Sequence, residues 1–251
     1  MLTPRPDFIP DTITDGGQDF EWLGKLAHVG PVETRTKLLD SFAGITSCGS
    51  FRIASGLLVW TSHRFQNLLD VSSTLHLVDT SLAFMFDPLC VDLEALMEKP
   101  VPDQPPVASA FRLLRWYGAG SIYPGRWYRN ANAPRRDLYH FACVLRHLLD
   151  RKSVKAFDTW IFRLTDRLHE IAPKPPLEEA QLPDDPTPEQ IKAFVAPHWG
   201  LPVPFAALSG DLKSNEMLPM AKAEAAAIDW SANPFVRRNP DLQNPYGRIG
   251  Q

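Results

Sequence analysis

The sequence has no cysteine pair to build on. Its three cysteines, Cys48, Cys90 and Cys143, are odd in number and far apart, and no CxxC occurs. That excludes a disulfide framework and a zinc ribbon, and it points to a reducing, cytoplasmic setting. No stretch approaches the roughly eighteen apolar residues of a spanning helix, so no membrane insertion is expected. The start, MLTPRPDFIPDTITDGGQD, carries prolines and acids where a secretory leader would carry an apolar run, so none is expected. A basic excess is also missing: 26 Lys and Arg stand against 29 Asp and Glu, a formal charge of −3. Chains that live on nucleic acid or on anionic membrane usually show the opposite balance, so such a role would need a local patch.

Catalytic signatures are scarce too. There is no GxSxG and no SxxK, no GK[ST] follows the glycines at 118, 120 and 125, and His169-Glu170 lacks the second histidine of HExxH. No metal and no cofactor are expected. His76 and Asp79, three residues apart on a helix, would suit a base and its orienting acid, but no nucleophile stands beside them. An enzyme with a site assembled from dispersed His, Asp and Arg residues stays open.

Proline is what the chain has in excess: 24 of 251 residues, about twice the usual share of roughly 5%. Because proline breaks helix interiors, proline-free spans mark where long helices fit. Two stand out, 32–87 and 135–172. In the second, Leu138, Phe141, Ala142, Leu145, Leu148 and Leu149 follow helical spacing, and Val154, Phe157, Ile161, Leu164, Leu168 and Ile171 begin a second stripe after Asp150-Arg151-Lys152-Ser153. So short a connection predicts an antiparallel hairpin. In the first span Ala54, Leu57, Leu58, Thr61, Phe65 and Leu68 mark one helix, and Leu75, Val78, Leu82 and Met85 the next. Both turns read Leu-Leu-Asp-x-x-Ser, at 68–73 and 148–153. Either an internal duplication or plain convergence on good capping residues explains that.

Shorter helices are predicted over 19–28, 32–43, 106–117 and 220–230, with Thr187-Pro188-Glu189-Gln190 reading as a capped helix start. Only Ser50–Ile53 and Leu201–Phe205 look extended. The predicted fold is all-α, a helical bundle built around two hairpins at about 51–87 and 135–172. It would comprise an N-terminal arm (1–17), one helical domain (18–230) and an extended tail (231–251). The tail holds Phe235, Val236, Leu242, Tyr246 and Ile249, enough apolar side chains to dock on its own body or on a partner.

One stretch carries most of the functional weight. From Gln104 to Arg136 there is no acid and no lysine but six arginines: Arg112, Arg115, Arg126, Arg129, Arg135 and Arg136. They interleave with Trp116, Tyr117, Tyr123, Trp127 and Tyr128. Guanidinium is the fork that binds carboxylate or phosphate bidentately. Arg135 and Arg136 fall in the first turn of a helix, where the dipole disfavours cations unless an anion offsets them. The anion could be an acidic stretch of the chain (173–190 or the N-terminal arm), an acidic protein, or a phosphate. Arg112, Arg115, Arg126, Trp127, Tyr128, Arg129, Arg135 and Arg136 are therefore the candidate anion- or partner-binding residues. His140, Cys143 and His147 form a polar face on the helix that follows, suited to packing more than to a metal. The expected function is a non-catalytic interaction protein (an adaptor, an inhibitor or immunity-type protein, or a subunit of a larger assembly) that meets an acidic protein surface. A nucleic-acid-binding subunit of a ribonucleoprotein-type complex is the alternative, with Arg237, Arg238 and Arg248 adding to the patch.

Overall fold

The computed structural model describes residues 5–14, 20, 22, 36–96, 105–122, 133–175, 187, 189–190 and 198–243. Among them the chain is all-α, and eight α-helices can be followed end to end with no β-strand. These are α1 (Lys37–Ser41), α2 (Ser47–Phe65), α3 (Ser72–Phe86), α4 (Leu93–Leu96), α5 (Pro106–Ile122), α6 (Ala133–His147), α7 (Arg151–Ile171) and α8 (Ser214–Ala226). No described helix is long and apolar enough to cross a membrane.

The organising element is α2. Thr46 caps it by accepting a hydrogen bond from the Gly49 N–H, and every residue from Ser47 to Phe65 is buried. α3, α5, α6 and α7 all pack on it, as do the 3-10 turns at Asp11–Thr14 and Phe205–Leu208. Its polar residues survive inside because they bond backwards along the helix: Ser55 to the Phe51 carbonyl (3.0 Å), Thr61 to Leu57 (2.8 Å) and Ser62 to Leu58 (2.9 Å). Aromatic clusters grip both halves. Trp199 lies edge-on to Phe51 (5.3 Å) and beside Phe84 (5.5 Å), while Trp60 meets Phe157 edge-on (5.2 Å) and Trp160 at a tilt (5.7 Å). Such pairs contribute about 0.5–1.5 kcal/mol each beyond their burial. Ser50–Ile53, read as extended from its sequence, is thus part of a helix surrounded by protein. Leu201–Phe205 forms no strand either and leads into a 3-10 turn.

α3 runs antiparallel to α2. Ser62 Oγ lies 2.5 Å from Thr74 Oγ1, and at the other end Ser81 Oγ donates to the Phe51 carbonyl (3.3 Å). α6 and α7 depart from the side-by-side hairpin their short connection suggested. α6 packs chiefly on α5 and α2, and α7 on α1, α2 and the two 3-10 turns. Arg64 of α2 reaches their junction and donates from Nε to the Leu148 carbonyl (2.8 Å). The repeated Leu-Leu-Asp-x-x-Ser letters share an Asp that accepts from the N–H two residues on (Ser72, 2.9 Å; Lys152, 2.8 Å), but they differ in capping. Asp150 is the N-cap of α7 and accepts from Lys152 N and Ser153 N, whereas α3 has Val71 in that place and no side-chain cap.

α5 continues past the expected end at 117 to Ile122, through Gly118-Ala119-Gly120. A methyl group at Gly118 would lie 2.5 Å from Leu58 Cδ2, so here glycine serves close helix packing and not a loop. α8 begins at Ser214 and tolerates Pro219 inside it, then stops at Ala226 before a 3-10 turn that Asp229 caps. Thr187 and Gln190 form the reciprocal capping box read from their spacing. Of the helices expected over 19–28 and 32–43, only Phe20, Trp22 and the part from Thr36 onward fall within the described residues.

Both arms lie on the body where they are described. Near the start, Ile9 and Ile13 are buried, and Phe8 stacks on Trp160 at 5.3 Å. In the tail, Val236 pairs with Val91, Arg237 N donates to the Cys90 carbonyl (2.7 Å), and Asn233 bonds the His76 carbonyl (2.9 Å). Arg237 pairs with Asp92 and Arg238 with Asp87, each at 2.9 Å. Asp87 is fully buried and also accepts from Leu89 N and Asp241 N. Asp87→Asn should therefore release the tail first. Amide exchange over 236–241 should lose protection worth about 1–3 kcal/mol while α2 keeps its own. Unchanged exchange in the tail would show that the apolar contacts suffice.

Candidate functional site

The arginines of 112–136 divide into distinct environments. Arg115 is only 4% exposed, and its guanidinium sits 5.4 Å above the ring of Phe235 in the tail. Arg112 is half-buried on the same helix. Arg135 turns back to α1, donating from Nε to the Leu39 carbonyl (2.6 Å) and from Nη2 to Asp40 (2.5 Å). The start of α6 thus holds a carboxylate from α1, while most acids of 173–190 and of the N-terminal arm lie outside the described residues. With 24% and 50% side-chain exposure, that pair contributes at most about 1 kcal/mol. Arg136, one residue on, is exposed and makes no ion pair among the described residues. Arg126, Trp127, Tyr128 and Arg129 lie outside the described residues, as does Arg248.

The polar face of α6 does not converge. His140 is half-buried beside Tyr117 (6.1 Å) and Tyr139 (5.9 Å), and burial lowers its pKa. Cys143 bonds Tyr139, and burial raises its thiol. His147 is exposed. Burial also pushes up Cys48, and carries Cys90 to about 12, so none of the three thiols is poised as a thiolate.

Two groupings escaped the sequence reading. The first is a charged cluster in the core. Arg52 is fully buried, donates from Nε to the Val203 carbonyl (2.8 Å), reaches Glu224 of α8 at 3.4 Å and lies over Phe205 at 5.9 Å. Glu224 also accepts from Phe205 N (2.6 Å). Asp79 of α3 belongs to the same electrostatic group. Burial first, and Glu224 second, raise its pKa to about 6, although Arg52 opposes them. Spacing sets Asp79 beside His76 on α3, but its operative neighbours, Glu224 and Arg52, come from other helices.

The second is an open groove of about 530 Å³ along α7, lined by Lys152, Lys155, Arg163 and Arg167 with Trp160 in its floor. Asp7 and Phe8 of the N-terminal arm and Leu208 and Ser209 line it as well. Arg167 donates to the Leu208 carbonyl (3.0 Å), which also takes the Trp160 indole N–H (3.0 Å). The groove gathers none of His76, Asp79, His140 or His147. The cationic spacing was present in the sequence, at 152, 155, 163 and 167 around Trp160, but only the apolar stripe of the same helix was read.

Among the described residues the chain is all-α, with two arginines in the first turn of α6 and four cations lining one groove along α7. Comparison with models of protein families, with curated sequences and with solved structures finds no match to this chain.

Proposed function

We propose that this protein is a non-catalytic interaction protein, an adaptor, inhibitor or assembly subunit, that meets an acidic surface of another protein. The observation that carries the reading is the start of α6. Arg135 there already takes a carboxylate from a different helix, and Arg136 beside it stands exposed and without an ion pair among the described residues. A helix end that carries two arginines and no acid in its first turn favours further negative charge. Arg126 and Arg129 precede it in sequence.

The test replaces Arg126, Arg129 and Arg136 with glutamine and leaves Arg135, which ties α6 to α1, in place. Native complexes of both proteins are then compared by quantitative mass spectrometry after crosslinking. Recovery of an acidic protein partner should fall about tenfold or more, with an unchanged melting temperature. Full recovery, or recovery of nucleic acid only, would sink the reading.

A further inference from the structure

We infer that the groove along α7 is a second binding site, for an acidic peptide segment with an aromatic anchor supplied by a protein partner. It is separate from the α6 arginines and stands or falls without them. Lys152 to Arg167 spans fifteen residues of helix, roughly 22 Å at 1.5 Å per residue, a suitable length for several extended residues. Four cations line it against one carboxylate, Asp7.

Among the described residues Lys152, Lys155 and Arg163 make no ion pair, while Arg167 donates to the Leu208 carbonyl. Lys152 sits in the first turn of α7, where the dipole disfavours a cation. Burial lowers the pKa of Arg167, Asp211 acts the other way, and repulsion from Arg163 adds a smaller lowering. Asp158 of the same helix is drawn off by Arg146 in a bidentate pair (2.8 and 2.9 Å). Arg167 is held in place by the Leu208 carbonyl, yet its Nε is buried with no hydrogen-bond partner among the described residues.

The chain itself shows what the groove accepts. Asp7 and Phe8 line it, with the Phe8 ring stacked at 14° to Trp160 and Asp7 exposed, while Ile9 beyond them is buried in the core and anchors the arm. An acid followed by an aromatic is therefore a fitting ligand, and it leaves most of the positive charge unmatched. A single-stranded nucleic acid fits less well. It stacks several bases on open aromatic faces, whereas Trp160, 5% exposed under Phe8, can take a single ring and only when Phe8 gives way, as a one-ring peptide requires.

The experiment uses the purified full chain and a fluorescent peptide of Glu and Asp built around one Asp-Phe-Ile, at low and moderate salt. Saturable binding is expected, and Lys155→Glu with Arg163→Glu should weaken it at least tenfold. Both side chains are exposed, so the melting temperature should hold. Phe8→Ala should strengthen binding several-fold by vacating the ring site, and only for the peptide that carries Phe. No saturable binding, equal binding by the charge-reversed variant, or no gain in Phe8→Ala overturns the inference. So does an oligo-dT strand that binds more tightly and is lost on the same substitutions.

Discussion

Arg52→Met should be among the most damaging single substitutions in this protein, costing about 3–5 kcal/mol of unfolding free energy. In a chain of this size that lowers the melting temperature by roughly 6–20 °C. Arg52 is fully buried in a helix that has protein on all sides. Its removal strands the Val203 carbonyl and leaves Glu224 and Asp79 facing each other without the cation between them. The methionine fills much of the volume but offers no donor. Adding Glu224→Leu to the same protein should cost less than the sum of the two single changes, by about 0.5–3 kcal/mol, because both remove one interaction. Thermal or urea unfolding of the four proteins measures this cycle. Strict additivity would mean that the 3.4 Å contact between Arg52 and Glu224 contributes nothing.

Asp79→Asn should do the opposite and stabilise the protein at neutral pH. In the unfolded chain this carboxyl titrates near its ordinary 3.8, and in the fold it titrates at about 6, chiefly because burial disfavours its charge. Between those values the folded state holds a proton that the unfolded chain has released. Stability therefore falls as pH rises from about 4 to about 6, and the loss persists above. Asparagine removes the charge and with it the loss. The gain should be about 1–3 kcal/mol at pH 7, vanish below pH 4, and flatten this part of the stability profile between. Denaturant unfolding at pH 4, 5, 6 and 7 reads the difference directly. A variant that is less stable at pH 7 would show that attraction to Arg52 outweighs burial.

Much of the helical content was legible because surface helices have two unlike faces. α7 has them: Phe157, Ile161, Leu164, Leu168 and Ile171 are all buried, as their spacing required. Caps were legible for a related reason, since Asp150 and Thr187 act on neighbours two or three residues away. α2 was harder. A helix wrapped on every side has no solvent face for periodicity to report, and its inward Arg52, Thr61, Ser62 and Arg64 imitate one. α5 was cut short because Gly118 looks like a loop residue until Leu58 is placed against it. Of the candidate arginines, Arg115 and Arg135 found partners in Phe235 and Asp40, which lie far away in sequence. The Arg52 cluster was beyond reach for the same reason. No local spacing links residues on α2, α3 and α8.

The wrapped helix also sets a timetable for synthesis. Arg52 is made early, but its carbonyl partner lies 151 residues downstream and its carboxylate partner 172. The ring that covers Arg115 comes later still, at Phe235. On the ribosome the middle of this molecule must wait, half-clothed, until nearly the whole chain has emerged. Its safety during those seconds rests on whatever shields that helix before its last neighbours arrive.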